Sequence, residues 1–122
     1  MQEIVKRKSG NRKTPALAVL AAIPLGLSAG DLDRIDQGKA IAMEKSKGNC
    51  LACHVIAGGV LPGNIGPPLF AMKARFPDAS VLQKQIWDAT IANPDSRMPP
   101  FGRHGILSQH EIELLIEFLY TL

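Results

Sequence analysis

The chain has 122 residues, with 14 Lys/Arg against 11 Asp/Glu and only two cysteines. That length supports one domain, and two cysteines are too few for a disulfide-built scaffold. From Asp31 onward nine Lys/Arg face ten Asp/Glu, so the formal charge of +3 belongs to the N-terminus and no basic patch argues for nucleic acid.

Lys6, Arg7, Lys8, Arg12 and Lys13 form a basic start, and an apolar stretch runs from Pro15 to Ala29. It is too short to cross a bilayer comfortably. Small residues Ser28, Ala29 and Gly30 suit cleavage after Ala29 or Gly30, although Leu27 makes the outer position imperfect. The sequence predicts a signal peptide over residues 1–30 and a mature domain over residues 31–122, delivered to a periplasm. Retention of the apolar stretch as an anchor is the alternative.

A first helix is expected from Asp31 or Asp33, as the N-cap, to about Lys47, because Ile35, Gly38 and Ala42 share one face at helical spacing. The small Gly38 and Ala42 admit a second helix close by. Met43 and Lys45 read as core rim and solvent-facing residues.

Gly48-Asn49 ends this helix and delivers Cys50-Leu51-Ala52-Cys53-His54. Two cysteines two residues apart with a histidine directly after them form the attachment pattern of c-type haem: each thiol adds to a vinyl group and the histidine ligates iron. A zinc site would need a second ligand pair, and His104 and His110 lie far downstream without matching spacing. A thioredoxin-like dithiol would need a βαβ context, which the pattern lacks. Covalent haem also answers a shortage, since aromatic residues make up only 5 % of the chain and removal of the leader would leave it near the lower end of what buries an adequate core.

Between Val55 and Pro77, Gly58-Gly59, Pro62-Gly63 and Gly66-Pro67-Pro68 predict a loop without regular structure. A segment that long in so small a domain implies that it wraps something, and a haem edge is the natural object. A metal-bound histidine commonly donates its other ring N–H to a carbonyl or carboxylate. Pro67 is the candidate acceptor for His54, and Leu69 the candidate to lie on the ring; a merely rigid turn is the plainer alternative.

A second helix is expected over Asp78 to Ala92, ended by Asn93-Pro94. Leu82, Ile86 and Ala89 form one apolar stripe, while Trp87 and Ile91 sit nearly opposite. The second face is expected to meet a loop of the same chain or a partner. Pro94 to Gly102 then reads as a proline-fixed strip in which Pro99 biases Met98 away from helical angles. A thioether there suits haem iron and raises its potential relative to a second histidine. Met98 is the candidate sixth ligand, with His104 next and Met72 or an open site behind. Arg97 and Arg103 read as solvated surface, with pairing to haem propionates as the alternative.

The last helix is expected to start at Ser108, with Glu111 completing a capping box. Ile112, Leu115, Ile116 and Leu119 form its main stripe, widened by Leu114 and Phe118, and His110, Glu113 and Glu117 form the wet side. Such a face suits packing on the Gly38/Ala42 helix. No nucleophile or base constellation appears elsewhere, because Ser108 is accounted for as a cap.

Helix, CxxCH, a Gly-Pro-x-Leu loop, a Met-Pro loop and a final apolar helix together resemble a class I cytochrome c. More narrowly, five strings are similar to the SoxX family, the small monohaem subunits of SoxAX thiosulfate-oxidising cytochromes. These are residues 48–54, 62–69, 85–89, 98–107 and 118–122, and the likeness runs from about Gln37 to the C-terminus.

The resemblance implies a small all-α cytochrome c fold wrapped around one covalent haem c, with His54 and Met98 as axial ligands. It also implies a heterodimer with a larger haem subunit, SoxA, that links thiosulfate oxidatively to a cysteine of the SoxYZ carrier. The sulfur chemistry would then sit on SoxA's cysteine-ligated haem, and this chain would pass electrons to a downstream cytochrome without being catalytic itself. A freely diffusing periplasmic cytochrome c is the competing expectation. Exposure of Trp87 and Ile91 together with Val60, Leu61 and Ile65 as one patch would favour a stable partner.

Overall fold

The computed structural model describes residue 26 and residues 28–122. Nearly all of the expected leader, residues 1–30, lies outside the described residues. Among the described residues, four α-helices and two 3₁₀ turns carry the fold, joined by long loops. Among the described residues the one β-type pairing is an isolated parallel bridge between Ile56 and Leu69, so the architecture is all-α as expected. No helix of the described residues is long and apolar enough to cross a membrane.

Helix α1 spans Ala29–Met43, and its N-cap is Ser28 instead of the expected Asp31 or Asp33. Ser28 Oγ accepts the Asp31 N–H at 3.3 Å, while the Asp31 carboxylate accepts the Ser28 N–H at 2.9 Å. This reciprocal capping box places Asp31 in the first helical turn. The helix also stops earlier than the expected Lys47: Glu44 turns extended, and its carboxylate accepts the Ser46 N–H at 3.2 Å. A local side-chain turn of this kind competes with helix continuation.

The loop expected from Val55 to Pro77 contains one short helix, α2, at Met72–Arg75. Met72 donates its N–H to the Leu122 carbonyl and buries its side chain. The sequence reading missed α2 because four residues are too few to show helical periodicity.

Helix α3 spans Ala79–Trp87, capped by Asp78, whose side chain accepts the Ser80 N–H. It stops five residues short of the expected Ala92. Asp88 leaves helical angles at φ −160° and ψ 93°, and its carboxylate caps a separate 3₁₀ turn at Ala89–Ile91. The expected inner stripe of Leu82, Ile86 and Ala89 is buried, and Trp87 and Ile91 are exposed.

Helix α4 spans Gln109–Leu119 and has the expected Ser108/Glu111 capping box. All six of its expected apolar residues are buried. It packs on α1 and α3, and α1 approaches so closely that a β-carbon at Gly38 would overlap the Leu114 carbonyl. Two ion pairs brace this packing, Arg34 Nη2 of α1 to Glu117 Oε1 of α4 at 2.6 Å and Lys47 Nζ, in the turn after α1, to Glu111 Oε1 of α4 at 2.7 Å. Both are partly exposed, so water and salt screen them and their contribution is small.

Candidate haem-attachment site

Asn49 takes a left-handed φ of 46° and turns the chain into a 3₁₀ segment at Cys50–Ala52. The Cys53 N–H donates to Cys50 O at 3.2 Å and the His54 N–H to the same carbonyl at 2.9 Å. Side chains three apart on such a turn eclipse one another. Cys50 and Cys53 therefore leave the same side, with His54 immediately beyond.

The two thiols are free of any disulfide. Burial pushes the Cys50 thiol up to about 11, so it stays protonated at neutral pH. A redox dithiol works through a thiolate of lowered pKa, which Cys50 does not offer. Nor do three or more His, Cys, Asp or Glu side chains gather anywhere among the described residues in a way that could hold a metal ion.

The loop after the motif is stitched back onto it by main-chain hydrogen bonds. Gly63 N–H donates to Leu51 O at 2.8 Å, Gly66 N–H to Cys53 O at 2.8 Å, and Leu69 N–H to Val55 O at 2.9 Å. This folding-back brings Pro67 O to 2.6 Å from His54 Nδ1. A carbonyl can only accept, so Nδ1 carries the proton and Nε2 presents its lone pair. Gly66 lies directly against the imidazole: a β-carbon there would collide with Cε1 and press on Nδ1 and Nε2. The ring is thus fixed in both tautomer and orientation.

Met98 comes from a separate loop between the 3₁₀ turn and α4. Its N–H donates to Ser96 Oγ at 3.3 Å. The side chain is half-buried against the core cluster, which Cys50, Leu51 and Leu69 also border. The other residues weighed as a sixth ligand are placed differently. Met72 is buried in the core with Arg75 Nη1 3.6 Å from its sulfur, and His104 is exposed.

These residues fit haem c on chemical grounds. Cys50 and Cys53 would hold it through thioether bonds, His54 Nε2 and Met98 Sδ are the soft and borderline donors that haem iron takes, and Leu69 offers an apolar side chain nearby. Bound there, haem would supply a one-electron redox centre. The chain's own contribution is to fix His54 through the Pro67 carbonyl, which strengthens the imidazole as a donor.

Four further residues shape the Met98 loop: Trp87, whose face meets a loop of the same chain as expected, and Asp88, Gly102 and Arg103, whose roles here are not legible in the sequence. Gly102 packs against the Trp87 indole with no room for a β-carbon. The Gly102 and Arg103 N–H groups both donate to Trp87 O, at 3.1 Å and 3.2 Å. Arg103 Nη1 sits 2.8 Å from Asp88 Oδ2, and the Asp88 side chain is fully buried. Arg103 was expected to be solvated or to meet propionates; it is paired with Asp88, fifteen positions away and beyond the reach of any local pattern. No well-aligned hydrogen bond reaches Oδ2, so the contact is one of charge. The Thr90 hydroxyl, first, then the Thr90 N–H and after them the Arg103 charge hold the Asp88 carboxyl below its ordinary range against the effect of burial.

A family model described as cytochrome C oxidase, cbb3-type, subunit III matches residues 33–119. A protein of Aquifex aeolicus (strain VF5) named as an uncharacterized lipoprotein is 35% identical over 75 residues, which cover 61% of this chain and 36% of that protein. This chain thus spans little more than a third of that relative's length.

Proposed function

Because this chain belongs to the cytochrome c family described as cbb3-type cytochrome c oxidase subunit III, it is an electron-transfer haem protein, and we propose that its iron is held between His54 and Met98. The observation that carries this reading is the 2.6 Å contact between His54 Nδ1 and Pro67 O, which leaves Nε2 for the iron. The proline-fixed loop that presents Met98 supports the other ligand. His54 and Met98 together would leave no ligand position for substrate on a haem held there, which would supply one-electron transfer and leave bond-making to other groups. Met98→Leu is expected to abolish the sulfur-to-iron charge-transfer band of the oxidised protein and to lower its reduction potential; an unchanged band would remove Met98 from the iron.

We further propose that the relay serves a thiosulfate-oxidising complex of the SoxAX type. The motif strings support this; Val60, Leu61, Ile65, Trp87 and Ile91 are each exposed, and a larger partner would need them to form one patch. In that setting the chain takes electrons from SoxA after thiosulfate has been joined to SoxYZ, and hands them to another cytochrome. The basic and apolar N-terminal stretch, together with the lipoprotein name of the relative, supports export to the periplasm. The test is purification of the native protein from the periplasm of thiosulfate-grown cells. A larger haem protein should accompany it, and reduction by thiosulfate plus carrier should require that protein. Reduction of the isolated chain under the same conditions would overturn the proposal in favour of another role, the first being a free cytochrome c shuttle.

A further inference from the structure

Asp88 is a fully buried carboxylate that neither haem attachment nor iron ligation uses. Burying an ion is costly unless it is paired, and removing one partner leaves the other charge uncompensated. Its charged partner, Arg103, belongs to the loop that starts at Met98. The same stretch is fastened a second time, through the Gly102 and Arg103 N–H groups on Trp87 O, and a third, through Gly102 against the indole. Phe101 is buried, and its carbonyl accepts the Ile106 and Leu107 N–H groups at 2.9 Å and 3.0 Å. Between these fastenings and Met98 stand Pro99 and Pro100, whose fixed φ angles make the connection stiff. A shift at Arg103 is therefore passed to Met98 and not absorbed on the way.

We propose that Asp88 and Arg103, with the Trp87 carbonyl, form a clasp that positions the Met98 loop and thereby sets how firmly the Met98 sulfur holds the iron. They are positioning residues, and the inference rests on the reading of Met98 as the sixth ligand. Opening the clasp releases the carboxyl end of the loop, lets the sulfur leave the iron more often, and gives an external ligand access to that coordination position.

The experiment uses the full haem-loaded protein in its oxidised form and titrates it with imidazole. Arg103→Gln is expected to bind imidazole about twofold to thirtyfold more tightly than the parent, the range carried by coupling through a packed network, and to show a weaker sulfur-to-iron band. Asp88→Asn is expected to act in the same direction, and Arg103→Lys to restore most of the parent behaviour. Ile116→Val, a core change in α4 remote in sequence from the loop, serves as the control that lowers stability without touching the clasp, and its imidazole affinity should equal the parent's. Parent-like affinity in Arg103→Gln, or an equal shift in Ile116→Val, would overturn the clasp. Because the Arg103 side chain is partly exposed, Arg103→Gln remains a usable test even where Asp88→Asn does not fold. Met98→Leu separates the two levels: a band that survives it removes the ligand reading, whereas a band that vanishes while the clasp variants bind like the parent removes the clasp alone.

Discussion

The Gly38 Cα lies against the Leu114 carbonyl with no space for a methyl group between them. This contact lets α1 settle onto α4 backbone to backbone, and α4 supplies more of the apolar core than any other element of the described residues. Gly38→Ala should therefore force the two helices apart at a cost of about 1–3 kcal/mol. For a domain this size the cost appears as a fall in Tm of several degrees, readable by circular dichroism. An unchanged Tm would mean that the crossing can shift to accept the methyl.

Gly66 and Pro67 should differ sharply on substitution although they are neighbours. Gly66→Ala drives a β-carbon into the His54 ring and should break the Nδ1 hydrogen bond. That weakens the imidazole as a donor and raises the reduction potential. Pro67→Ala keeps the backbone carbonyl and should change the potential much less. Voltammetry of both variants checks the pair, and equal shifts would show that the proline ring matters more than its carbonyl.

Glu111 joins the α4 cap to Lys47. The Lys47 ammonium, first, and then the Ser108 N–H hold its carboxyl below the ordinary glutamate value of 4.5. A carboxyl depressed on folding contributes stability above its unfolded value, and that contribution is lost as pH falls through the folded value. The stability gap between parent and Glu111→Gln should be open at neutral pH and close in the acid range below 4.5. High salt should narrow it at neutral pH, because the pair is partly exposed. Denaturant melts across pH and salt are the measurement.

Ile91 is 78% exposed and closes the 3₁₀ turn that follows Trp87 and α3. Ile91→Glu should alter stability by no more than about 0.5 kcal/mol. Under the proposed complex it should sharply reduce recovery of the larger haem partner. Full recovery would place the interface elsewhere on the chain.

Parts of this molecule could be read from sequence wherever cause and effect lie close together. The α4 stripe, the Ser108/Glu111 box and the cysteine turn each follow from spacing within a few residues. Where two local signals compete, the reading slipped: Asp31 is a good cap by type, but Ser28 three residues earlier makes the reciprocal pair. Asp88 broke α3 for a similar reason, since its side chain serves Thr90 in preference to helix continuation. The Asp88–Arg103 pair and the seat of Gly102 on Trp87 have no local signature at all. They exist only because the chain returns to the end of α3 after the Met98 turn.

The loop from Gly63 to Leu69 is tied to the haem-attachment turn through backbone atoms at every point, including the carbonyl that meets His54. Side chains that project from it or from its approach, such as Leu61, Asn64 and Ile65, are outward and carry none of those ties. Contact chemistry and ligand chemistry are consequently uncoupled in this segment. An engineer could recode those three positions to change what the protein recognises while the imidazole stays where the main chain puts it.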